Sequence, residues 1–488
     1  MGTNRQNAKR TPGACAPAFR PRAWFSPPAP FVLCFFGFSF SRAANDLLAH
    51  RFALTGALGP LWGEDLYSLA MLAAFLVCAV LARKIAPLYR RASIVRGAAG
   101  LAIAAAVLAL ASPIAGAASS ALLMLSIAAG GVGGALFILL WAEFHSTLGP
   151  LRIVLYVSGA FLFGSTGAWL LQDLDPVRST LVLVILPLAS VWCLRQSFAR
   201  VAPMDLPRSV WGRYEFPWKL IAVLGVYELA YGVWEASPSF AWEAYAIGGI
   251  GVALAVFALA CFCSKRFDFA YVYRTPFALM VCGLAMAPLT ATLGEFASDL
   301  GVSAGYALMF LVLTFLMCDL SHRYGVSVLV LCGMQELTAA FRLLGHQVPT
   351  AMSHGALPAF VDDSFVSMAL TIAVAVASIA LLFGKELPGK WGASFFGVGT
   401  MAAESEEHGL LAQRCAALCE AHNLSPRERE VFELLAQGKR PSAIERELVI
   451  ANGTLKSHTR RIYQKLGIHS KKELLAMVAA DEPADAQA

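Results

Sequence analysis

The sequence is poor in charged residues. Only 14% of its 488 residues are Asp, Glu, Lys or Arg, and 58% are hydrophobic. Soluble proteins carry about 25% charged residues, so this deficit excludes an ordinary soluble chain. The apolar excess fills residues 29–383, whereas the residues after 383 have the composition of a soluble protein. The composition therefore predicts an integral membrane protein with a small soluble C-terminal domain.

The sequence also lacks the cysteine spacing of a metal site. It has 11 cysteines, an odd number, and most lie inside apolar runs. Cys261 and Cys263, like Cys415 and Cys419, form close pairs without the second Cys or His pair that zinc requires. We therefore expect no metal, no cofactor and no disulfide. No nucleophile–base pair or phosphate-binding loop stands at a meaningful spacing, so an enzyme is not expected.

Apolar segments of membrane-spanning length recur along the chain. A helix needs about 20 apolar residues to cross a bilayer. Twelve segments qualify, and they predict an all-α, polytopic helical bundle over residues 29–383. They lie near residues 29–48, 66–83, 97–115, 119–141, 152–171, 179–196, 217–235, 243–263, 275–294, 301–319, 325–344 and 364–383.

The basic residues between these segments predict the orientation. Cytoplasmic loops retain Lys and Arg. Basic residues crowd the N-terminal tail, residues 1–28, and the loops after the second, sixth and eighth segments, whereas the alternate loops are mostly acidic. The pattern predicts a multi-pass protein of the cytoplasmic (inner) membrane with both termini in the cytoplasm.

The order of the segments resembles the major facilitator superfamily. Six segments, a longer basic loop at residues 197–216 and six more segments match that layout. The loop "ARKIAPLYRRASIV" also has the arginine pair that this family often places after its second span. The resemblance implies two six-helix halves. It also keeps open an alternative function, that of a transporter with a regulatory DNA-binding tail.

A few ionisable residues interrupt the apolar segments. Such residues are costly in a membrane and usually face a cavity or one another. Asp46 and Asp319 belong to this group. Glu336 and Arg342 are each expected to have a partner on another span. Interhelical hydrogen bonds are the alternative role. The candidate ligand-sensing residues, for an unknown small molecule, are Glu228, Tyr231, Glu336 and Arg342.

The C-terminal segment has the start and stop signals of four helices. Residues 384–423 predict a linker followed by a short helix, residues 424–480 a folded domain, and residues 481–488 a disordered tail. Ser425 and Glu428 form a capping box for the first helix. The third helix is predicted from about Thr454 to Leu466. Ser470 and Glu473 cap the fourth.

The third helix has an apolar face and a basic face. Leu455, Ile462 and Leu466 recur at helical spacing and are expected to face inward. Residues 424–473 hold 11 Lys or Arg against 6 Asp or Glu, which favours phosphate contacts. The exposed face can enter the major groove of double-stranded DNA. It consists of Lys456, Ser457, Arg460, Arg461 and Gln464.

The segments "LSPRE", "GT-K-H" and "IYQKLGIHSKKEL" resemble the LuxR-type (GerE-type) helix-turn-helix domain. The resemblance implies base contacts by Lys456, Ser457 and Arg460, and a dimer on DNA. It also implies phosphate contacts by Thr454, Lys465 and Ser470. The fourth helix would form the dimer interface through Leu474, Leu475 and Val478. Glu445 and Ala451 depart from the family pattern, which prefers Ala and Ser there.

Together these features predict a membrane-bound, one-component transcriptional regulator. Its partners would be DNA, the lipid bilayer and a small-molecule signal.

Overall fold

The structure is a computed structural model that describes most of the apolar part of the chain and parts of the C-terminal domain. The described residues are 32–55, 62–201, 206–207, 218–237, 242–262, 269–287, 295–355, 358, 363–382, 415, 418–419, 421–436, 444–445, 452–470, 473–474 and 477. The N-terminal tail, residues 1–28, the linker at residues 384–409 and the tail at residues 481–488 lie outside them.

The first half of the membrane domain contains six long helices. They are α1 (Phe38–Thr55), α2 (Trp62–Val80), α3 (Ala92–Ala111), α4 (Ser119–His145), α5 (Pro150–Leu171) and α6 (Pro176–Phe198). α4 packs on both α2 and α3, and α1 packs on α5 and α6. Glu143 accepts hydrogen bonds from the backbone amides of Leu88 and Tyr89, at 2.8 and 3.0 Å, and so fixes the loop between α2 and α3.

Among the described residues, the second half contains seven helical segments. They are α7 (Trp218–Glu235), α8 (Trp242–Phe262), α9 (Phe269–Met286), α10 (Glu295–Tyr324), α11 (Val328–Glu336), α12 (Ala339–Ser353) and α13 (Asp363–Leu382). The closest pairs within this half are α9 with α10, α7 with α12, and α8 with α10. The two halves meet where α5 packs on α8 and where α2 packs on α11.

The predicted segments all coincide with helices, which confirms an all-α membrane-type bundle. Within the described residues, seven helices are long and apolar enough to cross a membrane, and three other apolar helices are shorter. Twelve spans therefore remains a prediction. The first helix begins at Phe38, after a 3-10 turn at Leu33–Phe36, later than the predicted residue 29. Within this helix Asp46 pairs with Arg42, one turn earlier, at 3.0 Å.

The predicted eleventh span is broken into α11 and α12. The break falls at Leu337 and Thr338, where the amides of Thr338 and Phe341 donate to carbonyls three residues back. The Thr338 hydroxyl also donates to the Gln335 carbonyl, at 2.8 Å. Here polar groups compete with the regular helix for backbone hydrogen-bond partners. Hydropathy does not register this competition, so it predicted a continuous helix.

The C-terminal domain has its own core. α14 (Pro426–Ala436) packs on α15 (Asn452–Leu466), and Gly467 ends α15 with a φ of 67°. Val431 and Phe432 from α14 and Ile462 from α15 are fully buried. Of the predicted second and fourth helices, residues 444–445, 473–474 and 477 are described, and these are helical. The expected short helix at residues 410–421 is described only at residues 415, 418–419 and 421, also helical.

We predict that the contact between α7 and α12 tolerates no side chain at Gly232. A Cβ there would lie 2.2 Å from the Arg342 carbonyl oxygen, a backbone atom that cannot move independently. Gly232→Ala should lower the melting temperature in nanodiscs, because overpacking costs about 1–3 kcal/mol and exceeds the gain in helix propensity. Gly251→Ala is the control, since no atom lies within 4 Å of its Cβ position. Equal melting temperatures for both variants would contradict this packing.

Candidate functional site

α15 presents the polar face that its sequence predicts. Leu455, Ile462 and Leu466 lie in the domain core, 0–4% exposed. The opposite face is solvent-exposed. It consists of Lys456, Ser457, Arg460, Arg461 and Gln464, and Thr454 and Lys465 are also exposed. The face therefore presents three cationic and two polar side chains on one side of the helix.

A capping box at the start of α14 is joined to α15 by an ion pair. The Ser425 amide donates to the Glu428 carboxylate at 2.9 Å, and the Glu428 amide donates to the Ser425 hydroxyl at 3.3 Å. Lys465 Nζ donates to the same carboxylate at 2.8 Å. The hydrogen bond from Lys465, together with that from Ser425, lowers the pKa of Glu428 to about 2. A DNA phosphate would therefore compete with Glu428 for the Lys465 ammonium group.

The ends of the recognition segment carry two further polar contacts. Asn452, the first residue of α15, donates a side-chain hydrogen bond to Glu445. Glu445 is one of the two positions that depart from the expected pattern, and Asn452 directly follows the other, Ala451. After α15, the Ser470 hydroxyl donates to Glu473 at 2.8 Å. The Glu473 amide donates to the Ser470 hydroxyl at 3.2 Å, as the predicted cap requires, and the Glu473 carboxylate accepts from the backbone amide of His469 at 2.9 Å. The hydrogen bond from the His469 amide lowers the pKa of Glu473.

Leu474 is fully buried in the core of its own domain. This corrects its expected place in the dimer interface, because a side chain packed inside the monomer has no surface left for a partner. Leu475 and Val478 lie outside the described residues.

Two adjacent cavities lie between the halves of the membrane domain. The wide cavity, about 190 Å³, is lined by the C-terminal parts of α1 and α5 and the N-terminal part of α8. The narrow cavity, about 60 Å³, is lined by the C-terminal parts of α4 and α10 and by α11. They share a wall. This wall consists of Met71, Ile138, Tyr306, Phe310 and Arg342.

Three of the four predicted ligand-sensing residues meet in the narrow cavity. Glu228, Glu336 and Arg342 all line it, although they come from α7, α11 and α12. Arg342 donates to the Tyr306 hydroxyl at 3.2 Å and to the Ser68 hydroxyl at 3.1 Å. Glu336 has no hydrogen bond to any residue that the structure describes. Two glutamates thus face one arginine, an arrangement suited to a small polar or cationic molecule.

Tyr231, the fourth candidate, does not line either cavity. Its ring stacks on that of Tyr306, with centroids 3.5 Å apart and planes at 8°. Its hydroxyl donates to Glu235 at 3.1 Å. Tyr231 therefore packs behind Tyr306, and of these two rings Tyr306 is the one that lines the cavities.

Several polar residues of these cavities were not predicted. Two of them are Tyr306 and Ser68, which accept hydrogen bonds from Arg342. Asp46, which the sequence did single out, accepts from the Ser165 hydroxyl at 3.0 Å and lines the wide cavity with Arg42. His145 is 1% exposed, and its Nε2 atom has no hydrogen-bond partner among the described residues. It faces the narrow cavity, as does the Nε atom of Arg342, which also lacks a partner. The sequence alone does not distinguish a hydroxyl or histidine that lines a cavity from one that is packed in a core.

The described residues include no group of three or more His, Cys, Asp or Glu side chains that could hold a metal ion.

The C-terminal domain is similar to known DNA-binding regulators. The family model of bacterial regulatory proteins, luxR family, matches residues 422–478. The spore germination protein GerE of Bacillus subtilis (strain 168) is 44% identical over 50 residues, which are 10% of this chain and 68% of GerE. The "Probable transcriptional regulatory protein NarL" of Mycobacterium tuberculosis (strain ATCC 25618 / H37Rv) is 41% identical over 68 residues, or 14% of this chain. The match spans only 31% of the length of NarL.

The membrane domain resembles a solved transporter structure. The major facilitator superfamily proton:xylose symporter XylE, bound to 6-bromo-6-deoxy-D-glucose, superposes with a TM-score of 0.51. The superposition covers 75% of this chain and 98% of XylE at 12% sequence identity. At this identity the likeness shows a shared fold and nothing about substrate.

We predict that Glu428→Gln reduces the loss of stability that the C-terminal domain shows as the pH falls. Because the pKa of Glu428 is lowered in the folded state to about 2 from its ordinary value of 4.5, ionised Glu428 stabilises the fold above about pH 4.5, and this contribution is lost as the pH falls towards 2. The melting temperature of residues 406–488 should fall in the variant at neutral pH, and the difference from wild type should shrink below pH 4.5. Glu430→Gln, an exposed position on the same helix, is the control. A difference that stays constant with pH would contradict the assignment.

Proposed function

Because this chain belongs to the luxR family of bacterial regulatory proteins, we propose that it is a membrane-bound, one-component transcriptional regulator. A membrane domain with polar cavities senses a small molecule, and the helix-turn-helix domain of the same chain binds promoter DNA in the cytoplasm. The exposed basic face of α15 is the observation that carries this proposal, since it is joined in one polypeptide to a transporter-like bundle.

The proposed DNA contacts divide between base edges and phosphates. Lys456 and Arg460 lie one turn apart on α15, and both are exposed. From there they can reach guanine O6 and N7 in the major groove, and Ser457 lies beside them. Thr454, Lys465 and Ser470 flank this face and would contact phosphates, which fix the register of the helix on the duplex. A dimer on a two-fold operator would double the contacts.

The proposed signal site is the narrow cavity with its wall of Tyr306 and Arg342. Its charged groups come from α7, α11 and α12, and Ser68 on α2 in the other half also bonds to Arg342. A ligand that binds one arrangement of the halves more tightly than the other shifts the population toward that arrangement. Its effect on DNA binding is limited by that difference in affinity.

We predict that Lys456→Ala combined with Arg460→Ala abolishes sequence-specific DNA binding and leaves membrane insertion intact. Each lost base contact costs about 1–3 kcal/mol, so the pair should weaken specific binding at least tenfold. Footprints on bound promoters, mapped with the full chain in nanodiscs, measure this. Arg427→Ala with Arg429→Ala removes the same charge from α14 and should keep the footprint. Unchanged footprints for the α15 variant would remove the groove assignment.

We also predict that Glu228→Gln or Glu336→Gln reduces the transcriptional response. Each change removes a carboxylate from the narrow cavity but keeps the side-chain shape, so ligand discrimination should fall while folding persists. The measurement is the ratio of transcription from mapped target promoters between inducing and non-inducing growth conditions. Glu243→Gln, at an exposed position on α8 outside both cavities, should respond like wild type. Normal ratios in both cavity variants would reduce these glutamates to packing residues.

A transporter with a regulatory DNA-binding tail is the second candidate. It is favoured by the fold shared with a symporter and by cavities that lie between two halves. Concentrative uptake of a radiolabelled compound into vesicles that contain the purified chain would support it. Binding of the same compound without uptake would support the sensor.

A further inference from the structure

A buried histidine joins two carboxylates from different helices. His346, on α12, is 1% exposed. Its Nδ1 atom lies 2.7 Å from Oδ1 of Asp65 on α2, and its Nε2 atom lies 2.9 Å from Oε2 of Glu235 on α7. Asp65 belongs to the first half of the membrane domain, whereas Glu235 and His346 belong to the second. The imidazole is therefore part of the contact between the halves.

The valence of the imidazole makes this contact depend on a proton. A neutral imidazole has one N–H donor and one acceptor nitrogen, and an ionised carboxylate has only acceptor oxygens. Both contacts can be hydrogen bonds to ionised carboxylates only when His346 carries two N–H groups and a positive charge. After one proton leaves, a lone pair of the ring faces a carboxylate oxygen across less than 3 Å. One of the two bridges then becomes repulsive.

The two sides of α12 are held in different ways. Against α7, glycines bring the backbones together, since a Cβ at Gly345 would lie 2.4 Å from the Leu229 carbonyl oxygen. Against α2, two polar bridges one turn apart on α12 cross between the halves. These are His346 to Asp65 and Arg342 to Ser68. A change at His346 therefore acts on the contact with α2, while α12 stays with α7.

The other polar and charged groups around His346 have defined positions among the described residues. On α7, Tyr231 donates to Glu235, and on α12 itself Arg342 is directed to Tyr306 and Ser68. Gln347, the neighbour in sequence, approaches Asp65 at 3.4 Å. On α11, Glu336 faces the narrow cavity beside Arg342. His346 is thus the group of the cluster whose loss of a proton removes a bridge between the halves.

We propose that Asp65, His346 and Glu235 form a proton-dependent latch that holds α12 of the second half against α2 of the first half. The latch is closed while the imidazole is doubly protonated and is weakened as the pH rises and the proton is lost. It is a property of the membrane domain alone, so it does not rest on the proposed function.

The Asp65→Asn variant gives the sharpest test, because an amide can donate as well as accept. Its N–H can donate to the unprotonated nitrogen of a neutral imidazole, whose own N–H still donates to Glu235. The variant latch should therefore hold without the extra proton. The melting temperature of the full chain in nanodiscs is measured by tryptophan fluorescence from roughly pH 5 to 10, a range that extends to both sides of the ordinary imidazole pKa of about 6.5.

The expected result is a crossing of two pH profiles. Wild type should melt above Asp65→Asn at the acidic end, where the charged bridge is complete, and below it at the alkaline end. His346→Gln, which does not titrate, should lie below wild type at the acidic end and approach it as the pH rises. His354→Gln, at an exposed position just after α12, should follow wild type throughout.

Parallel profiles for wild type and Asp65→Asn would overturn the latch, because a purely structural histidine shifts both curves by a constant amount. If His346→Gln does not fold, the comparison of wild type with Asp65→Asn still decides the question. Glu235→Gln is a second, independent variant with the same expected crossing, because its amide can also donate to a neutral ring.

Discussion

The membrane domain depends on one constraint: hydrocarbon offers no partner to a charge, so each ionisable side chain must find one inside the protein. In the described spans several of these groups lie in or beside the contact between the halves. Arg42 pairs with Asp46 within α1, Arg342 donates to Tyr306 and Ser68, and His346 joins two acids. Since Arg342 and His346 each have partners in both halves, a relative movement of the halves must exchange these polar contacts for others. The groups that make the interior stable in lipid are therefore also the groups that can respond to a ligand or a proton.

The broken eleventh span explains why α12 can pack firmly within the second half and still contact the first half through polar side chains. The interruption at Leu337 and Thr338 allows α11 to pack on α2 while α12 packs on α7. Close backbone contact at Gly232 and Gly345 makes α12 a rigid part of the second half. Its polar side chains nevertheless reach α2. The weak side of α12 is thus the side that meets the first half, and the polar bridges there set how firmly the halves meet.

The sequence predicted features that depend on local spacing and missed those that depend on neighbours across the bundle. Both capping boxes and the buried stripe of α15 follow from residues three to seven apart, and the helices coincide with the apolar segments. Sequence spacing also indicated that Glu336 and Arg342 need partners elsewhere, but it did not identify Tyr306 or Ser68. Asp65 and His346 fell outside the predicted spans and appeared to be loop residues. Tyr231 was expected at a ligand site and Leu474 in a dimer interface, whereas tertiary packing buries both side chains.

The connection to the DNA-binding domain restricts how a signal can travel. The last membrane helix, α13, packs on α7 and α9, and Ser367 donates to the Leu284 carbonyl at 3.1 Å. α13 is therefore part of the second half, the half that contains α12. A rearrangement confined to the first half would leave α13 in place and send nothing toward the C-terminal domain. A change in how α12 meets α2 moves the second half relative to the first, and α13 moves with it. The wall of Arg342 and Tyr306 lies where such a change would begin.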